Sequence, residues 1–102
     1  DLAKAHVAAV ERLIKAPDLA PFEIFNIGTG EGLSVLELVK CFIKATSVNV
    51  PYSFAQRREG DVVKVWADAT KANTILGWKA ETPIEKILLS AWNWEKRSRG
   101  IK

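Results

Sequence analysis

The sequence predicts an α/β fold with a short sheet and about four helices. Apolar residues recur at three- and four-residue spacing in several stretches, as they do along one face of an α-helix. Between these stretches lie short runs rich in aromatic and β-branched residues, which are typical of buried strands. The chain has 102 residues, of which 48% are hydrophobic and 26% are charged. It is therefore long enough for one small folded domain, and disorder is not expected.

The first helix is predicted over residues 1–15, where Leu2 and Leu13 belong to the apolar face and Asp1 stands at the capping position. A loop bounded by prolines follows at 16–21. Next comes "FEIFNI" at 22–27, in which four of the six positions are aromatic or β-branched, so it predicts a buried strand.

The second helix is predicted over 35–46. Ser34 and Glu37 have the spacing of a capping box, in which the serine oxygen and the glutamate each accept a free backbone N–H. Two further strands are predicted beyond it, "YSFAQRR" at 52–58 and "VVKVWA" at 62–67.

A short third helix is predicted after Asp68, which can cap it, and before Gly77, which can end it in the left-handed conformation. Trp78 is then expected to fold back onto this helix. A last helix, with Ile84 and Trp92 facing inward, is predicted to run to about residue 97.

The stretch "NIGTGEGLSVLELV" at 26–39 looks at first like a dinucleotide site, because a strand, a glycine turn and a helix follow one another. Leu33, however, stands where the fingerprint requires its third glycine. Ser34 and Glu37 are expected to use the free donors at the helix start, and Glu31 adds negative charge beside them. The sequence therefore favours a structural turn and predicts no cofactor-binding residues here.

The motif "RREGD" at 57–61 is the other candidate binding site, because it combines two arginines with acidic residues. Arginine binds phosphate with a planar fork of donors, and an aspartate accepts hydrogen bonds from sugar hydroxyls. On a strand, Arg57 and Arg58 would point to opposite faces, so one of them is expected to meet a ligand. The alternative is a solvated turn with local ion pairs.

Several classes of function find little support in the residues. No metal-ligand spacing is present, and the single tyrosine, Tyr52, has Gln56 four residues later rather than a lysine. The net charge of +3 comes largely from the C-terminal "KRSRGIK", without the interleaved aromatics of a nucleic-acid surface. No apolar run has the length of a membrane span, and one cysteine fits a reduced compartment. We expect a cytoplasmic protein that binds neither nucleic acid nor membrane.

Four stretches taken together resemble a known family: "DLAKAHVAAV", "FNIGTGEGLSVLELV", "RREGDVVKVWAD" and "DATKANTILGW". In order and spacing they are similar to the C-terminal part of the UDP-glucose 4-epimerases, which are extended short-chain dehydrogenases/reductases. The resemblance spans essentially the whole chain. It implies the C-terminal substrate-binding lobe of an extended Rossmann-type enzyme, with residues 1–33 as the tail of the cofactor lobe and 34–102 as the substrate lobe.

The resemblance also implies a function and a set of site residues. Enzymes of this family use NAD to interconvert UDP-glucose and UDP-galactose, as part of galactose metabolism, and a Tyr-x-x-x-Lys pair does the chemistry. That pair would precede Asp1, so this chain is expected to hold no catalytic residue, to bind no cofactor alone and to be inactive alone. By position, the family's substrate contacts are Val35 (apolar, near the nucleotide), Arg58 (diphosphate), Asp61 (ribose) and Val65 (sugar pocket).

Two alternatives remain open at this point. The chain is also compatible with the same portion of a related nucleotide-sugar decarboxylase or dehydratase, or with a non-catalytic interaction module. We also expect a homo-oligomer, because the apolar strand at 22–27 would lack neighbours in this chain.

Overall fold

The computed structural model describes residues 1–16, 18 and 22–102, so most of the loop predicted at 16–21 lies outside the described residues. Its helical elements are α1 (Leu2–Lys15), α2 (Val35–Thr46), a five-residue π-helix (Ala72–Leu76) and α3 (Ile84–Ser98). The described residues form two compact units, the first from 1–32 with 66–81 and the second from 33–65 with 82–102. The lobe boundary predicted between 33 and 34 refers to longer relatives and stays a prediction.

The first unit is built around a small core of Ala5, Ala72 and Trp78. Gly77 adopts a φ of 64° and ends the π-helix, as predicted, and the N–H of Trp78 donates to the carbonyl of Ala72. The indole then packs on α1, and its Nε1 donates to the carbonyl of Asp1 at 2.9 Å. Trp78 thus joins the π-helix to the start of α1, which confirms that it folds back.

An ion pair joins α1 to the segment that follows it. The Arg12 guanidinium donates through Nε and one terminal nitrogen to the two carboxylate oxygens of Glu23, at 2.6 and 3.2 Å. Both side chains are largely shielded, with about a quarter or less of their area exposed (26% and 20%). These hydrogen bonds hold the pKa of Glu23 below its ordinary value, an effect that partial burial opposes.

Glu23→Gln should therefore change how stability depends on pH. A carboxylate with a lowered pKa in the folded state stabilises the fold above its ordinary pKa of 4.5, and that stabilisation is lost as the pH falls through the folded value. We expect the wild type to lose stability more steeply than Glu23→Gln below pH 4.5. Urea unfolding between pH 7 and pH 3 measures this. Glu11→Gln is the control, because its partner Lys15 is exposed at 3.7 Å, and identical curves for Glu23→Gln and wild type would contradict the assignment.

The predicted short sheet is wrong for the described residues, none of which forms a β-ladder. The segments 22–27, 52–58 and 62–67 are non-helical but pair with no neighbour. At 22–27 the side chains still alternate, with Phe22 and Ile24 more than 70% exposed and Phe25 packed against the core of the first unit. Residues 51–66, in contrast, are exposed throughout. A strand needs a second backbone to bond with as well as an apolar pattern, and the described residues supply no such ladder partner to these segments.

The exposed apolar side chains predict self-association of this chain. Phe22 is 74% and Ile24 72% exposed, and Val10 and Ile14 add apolar surface on α1. Such a surface gains free energy when it leaves water. We expect sedimentation velocity to show the weight-average mass rising with concentration. The double substitution Phe22→Ser with Ile24→Thr should reduce that rise, and a strict monomer at all concentrations in the wild type would contradict the prediction.

The second unit is a pair of packed helices. Phe42 of α2 meets Trp92 of α3 edge-to-face, with ring centroids 5.8 Å apart and planes at 81°. The predicted capping box begins α2: Ser34 Oγ accepts from the N–H of Glu37, whose carboxylate accepts from the N–H of Ser34. The bounds of α2 are those predicted. Because local contacts define its start, α2 presents a fixed N-terminus to the residues around it.

Candidate functional site

Arg58 and Asp61 lie in a tight turn of residues 57–61, called here the arginine turn. The N–H of Asp61 donates to the carbonyl of Arg58 at 3.2 Å, and Gly60 has the positive φ of 84° that the turn requires. Across the turn, Arg58 Nε donates to Asp61 Oδ2 at 3.0 Å. The structure thus brings into direct contact the two charged residues that sequence analysis selected.

Arg57 also reaches Asp61, which differs from the expectation for a strand. One of its terminal nitrogens donates to the carbonyl oxygen of Asp61 at 2.8 Å. The two arginines therefore converge on one residue instead of pointing to opposite faces, because the chain turns here and no strand forms. Arg57 holds the backbone of the turn, whereas Arg58 meets the carboxylate.

The contact between Arg58 and Asp61 leaves binding groups available on both side chains. It uses Nε of Arg58 and Oδ2 of Asp61, and the Arg58 side chain remains 85% exposed. The terminal nitrogens of a guanidinium form the fork that suits phosphate, and the second oxygen of the carboxylate can accept from a hydroxyl. The arginine turn can therefore bind an anion and a neighbouring hydroxyl group side by side.

Val35 and Val65, the two predicted apolar contacts, lie in the same compact unit as the arginine turn. Val35 is the first residue of α2 and is 78% exposed, while Val65 lies four residues beyond Asp61 and is 76% exposed. Exposed valines of this kind provide apolar surface that a ligand can cover.

A contact that sequence analysis missed connects α2 to Lys64, which lies three residues beyond the arginine turn. Lys64 Nζ lies 3.5 Å from Oε1 of Glu37, and the two side chains are 44% and 48% exposed. Glu37 Oε2 accepts from the N–H of Ser34 at 2.7 Å, so one carboxylate serves both the helix cap and Lys64. The Ser34 backbone hydrogen bond, more than Lys64, lowers the pKa of Glu37. Twenty-seven residues separate Glu37 from Lys64, and no local pattern could have paired them.

The glycine turn makes the contacts of a structural turn. A side chain at Gly28 would come within 3.1 Å of the Ala67 side chain, so Gly28 permits close packing, and Gly30 has a φ of 78°. The N–H of Glu31 donates to Thr29 Oγ1 at 3.3 Å. The N–H groups of Ser34 and Glu37 are used in the capping box. Because the N–H groups of Ser34 and Glu37 are already bonded, they are not open to the diphosphate of a dinucleotide.

A polar hollow of about 330 Å³ lies beside the glycine turn and was not expected from the sequence. Among the residues that line it are Thr29, Asp68 and Asn73. Asp68 Oδ1 already accepts from the hydroxyl and the N–H of Thr70, at 2.6 and 3.0 Å, and these bonds lower the pKa of the carboxyl group. Oδ1 of Asp68 is thus bonded within the wall of the hollow, no other feature of the hollow's described residues points to a ligand, and we place none there.

Neither a metal site nor a membrane-spanning helix is found among the described residues. Within residues 1–16, 18 and 22–102, no group of three or more His, Cys, Asp or Glu side chains is arranged to hold a metal ion. In the same part of the chain, no helix has both the length and the apolar character needed to cross a bilayer.

Comparison with known proteins adds the wider context of these features. Residues 2–90 match the family model described as GDP-mannose 4,6 dehydratase. The chain is 42% identical over 95 residues to the UDP-glucose 4-epimerase of Bacillus subtilis, covering 93% of this chain and 27% of that protein. It is 44% identical over 98 residues to the Drosophila melanogaster UDP-glucose 4-epimerase, covering 96% and 28%. The chain thus spans a little over a quarter of the length of the relatives it matches.

Solved structures show the same relationship in three dimensions. The UDP-glucose-4-epimerase of Stenotrophomonas maltophila, with bound NAD and formylated UDP-arabinopyranose, superposes with a TM-score of 0.85 at 36% identity. That of Bifidobacterium longum, in complex with NAD⁺ and UDP, superposes with a TM-score of 0.77 at 40% identity. Each match covers 99% of this chain and 29% of the other. The chain belongs to the family described as GDP-mannose 4,6 dehydratase, and within it matches the C-terminal portion of UDP-glucose 4-epimerases.

Proposed function

We propose that this chain is the substrate-binding portion of an NAD-dependent UDP-glucose 4-epimerase and that the arginine turn binds the UDP moiety. The observation that carries the proposal is the contact of Arg58 with Asp61, which leaves a phosphate-binding fork and a hydroxyl acceptor on adjacent side chains. Those groups match a nucleoside diphosphate, whose phosphates and ribose hydroxyls are neighbours. The family match and the relatives support the same class of ligand.

Each proposed contact has a physical role. Arg58 offsets the charge of the diphosphate, and Asp61 accepts a hydrogen bond from the ribose. Val35 offers apolar surface to the nucleotide and Val65 lines the sugar pocket. None of these side chains transfers a hydride or a proton, so they bind and orient the substrate only.

The chemistry is proposed to require residues and NAD that this chain does not hold. Its single tyrosine, Tyr52, has no lysine four residues later, and the N–H groups of Glu31, Ser34 and Glu37 are bonded within the chain. The cofactor would supply hydride transfer at the sugar. This chain alone is therefore proposed to bind no NAD and to be inactive.

The alternative functions of this chain predict different results. The family model's description names a dehydratase, which is consistent with a related nucleotide-sugar decarboxylase or dehydratase, but the matched relatives from Bacillus subtilis and Drosophila melanogaster are epimerases. A non-catalytic interaction module would give a flat titration with UDP. We further propose a cytoplasmic homo-oligomer that acts in galactose metabolism. The exposed side chains of Phe22 and Ile24 support self-association, and the relatives' names support the nucleotide-sugar chemistry.

Calorimetry and a turnover assay test the proposal together. The protein that carries this chain should bind UDP and convert UDP-galactose to UDP-glucose with NAD, whereas this chain alone should give no product. Product formed by this chain alone, or no UDP binding by the protein that carries it, would contradict the proposal.

We also propose that the protein that carries this chain accepts UDP-N-acetylglucosamine alongside UDP-glucose, because valine at position 65 is smaller than an aromatic residue. Val65→Tyr should remove activity on UDP-N-acetylglucosamine and spare that on UDP-glucose, since added bulk excludes the larger sugar, and an unchanged ratio of the two kcat/KM values would contradict this role of Val65.

A further inference from the structure

We infer that Glu37 and Lys64 form a brace that positions the arginine turn against the N-terminus of α2. The inference rests on the proposed function, because the brace matters only if the turn binds a ligand. Neither Glu37 nor Lys64 is proposed to contact UDP. They are positioning residues that act through Arg58, Asp61 and Val65.

The first support is that Glu37 is itself held in place. Its Oε2 accepts from the N–H of Ser34 at 2.7 Å, and its own N–H donates to Ser34 Oγ at 3.2 Å. The carboxylate is thus oriented by the first turn of α2, and its second oxygen points to Lys64 Nζ at 3.5 Å. Lys64 is consequently attached to a fixed point on the helix.

The second support is the position of Lys64 along the chain. It lies three residues after Asp61 and directly before Val65, between two of the proposed substrate contacts. Glu37, at the other end of the brace, lies two residues after Val35. The brace therefore links the two segments that carry the four proposed contacts.

The third support is the exposure of the segment that is braced. Residues 51–66 are all exposed, and Arg58 is 85% exposed. A segment with few buried apolar contacts takes its position from the few specific contacts that it makes. The ion pair to α2 is a long-range contact of this kind, across 27 residues of sequence.

The competing explanation is an ordinary surface ion pair without consequence for binding. Exposed pairs usually shift an equilibrium by about fivefold or less, and many have no measurable effect. The two explanations separate because a brace changes ligand affinity while leaving the stability of the helix unchanged.

The test compares Glu37→Gln, Lys64→Ala, the double variant of these two and Lys64→Arg with the wild type, in the protein that carries this chain. Glu37→Gln keeps the capping box, since glutamine also serves at this position, but removes the charge that faces Lys64. Lys64→Ala removes the other partner. Lys64→Arg retains the positive charge and should restore affinity. Lys40→Ala is the matched control, because it removes an exposed lysine of α2 without touching the brace.

UDP affinity is measured by calorimetry at low salt, and the melting temperature by differential scanning calorimetry. We expect Glu37→Gln and Lys64→Ala each to weaken UDP binding by about two- to fivefold, the range of one exposed pair, with unchanged melting temperature in Lys64→Ala, which leaves the capping box intact. The double variant should lose no more than either single variant, because both remove one interaction. Lys40→Ala should bind as the wild type does.

The outcomes distinguish the brace from the proposed function. If Arg58→Ala weakens UDP binding but Glu37→Gln and Lys64→Ala do not, the brace is overturned and the function stands. Additive losses in the double variant, or a loss in Lys64→Ala that follows a fall in melting temperature, also overturn the brace. A flat UDP titration of the wild type overturns the function and the brace with it.

Discussion

Arg58→Ala should weaken UDP binding by about one to two orders of magnitude in the protein that carries this chain. Hydrogen bonds to charged groups contribute about that much when one partner is removed. Arg58 has its terminal nitrogens available because only Nε is used toward Asp61, and its side chain is 85% exposed. Titration calorimetry with UDP measures the loss directly.

Arg57→Ala is the matched control for this prediction. Its guanidinium donates to the carbonyl of Asp61 at 2.8 Å, so it supports the backbone of the turn instead of offering a free fork. We expect a loss of less than about threefold, as for an exposed hydrogen bond that water can replace. Equal losses for the two variants, or a larger one for Arg57→Ala, would contradict the assignment of the diphosphate to Arg58.

Trp78→Ala should lower the free energy of unfolding by about 3–5 kcal/mol, the range for truncating a buried tryptophan. The indole is 6% exposed and fills the core of the first unit against Ala5 and Ala72. Its Nε1 also donates to the carbonyl of Asp1 at 2.9 Å, and the variant leaves that carbonyl without this donor. Urea unfolding followed by circular dichroism measures the change.

Two substitutions make the Trp78 result interpretable. Trp94→Ala removes the same side chain from a position that is 68% exposed, so its effect should be within about 0.5 kcal/mol. Trp78→Phe keeps an aromatic ring but lacks the indole N–H, so its cost should lie between the two. If Trp94→Ala destabilises as much as Trp78→Ala, the core is not centred where the structure has it.

The helices were predictable because their hydrogen bonds and caps are local. The periodic apolar residues predicted 1–15 and 35–46, and the structure has Leu2–Lys15 and Val35–Thr46. The capping box of Ser34 and Glu37 is also a local pattern, and both of its hydrogen bonds are present.

The strands were not predictable on the same grounds. The segment 22–27 has a strand-like composition, and its side chains do alternate between shielded and exposed. A ladder, however, needs a second backbone at the right distance and register, and that is a property of the whole fold. Apolar composition therefore indicated which segments would be non-helical. It could not establish that these segments would pair into a sheet.

The candidate site also has features that the sequence predicted and features that it did not. Motif and family resemblance selected Arg58 and Asp61 from the sequence, since residue type alone indicates which groups can bind a phosphate or a hydroxyl. Strand alternation gave a mistaken account of Arg57, because the chain turns at Gly60 and both arginines reach Asp61.

Local sequence thus determined where α1, α2 and α3 lie and which side chains carry the chemistry, because those properties depend on neighbours three or four residues away. Tertiary structure alone decided that Trp78 meets Asp1 and that Lys64 meets Glu37. Those contacts join residues 77 and 27 positions apart, and the energy that selects them comes from packing and charge in the folded chain.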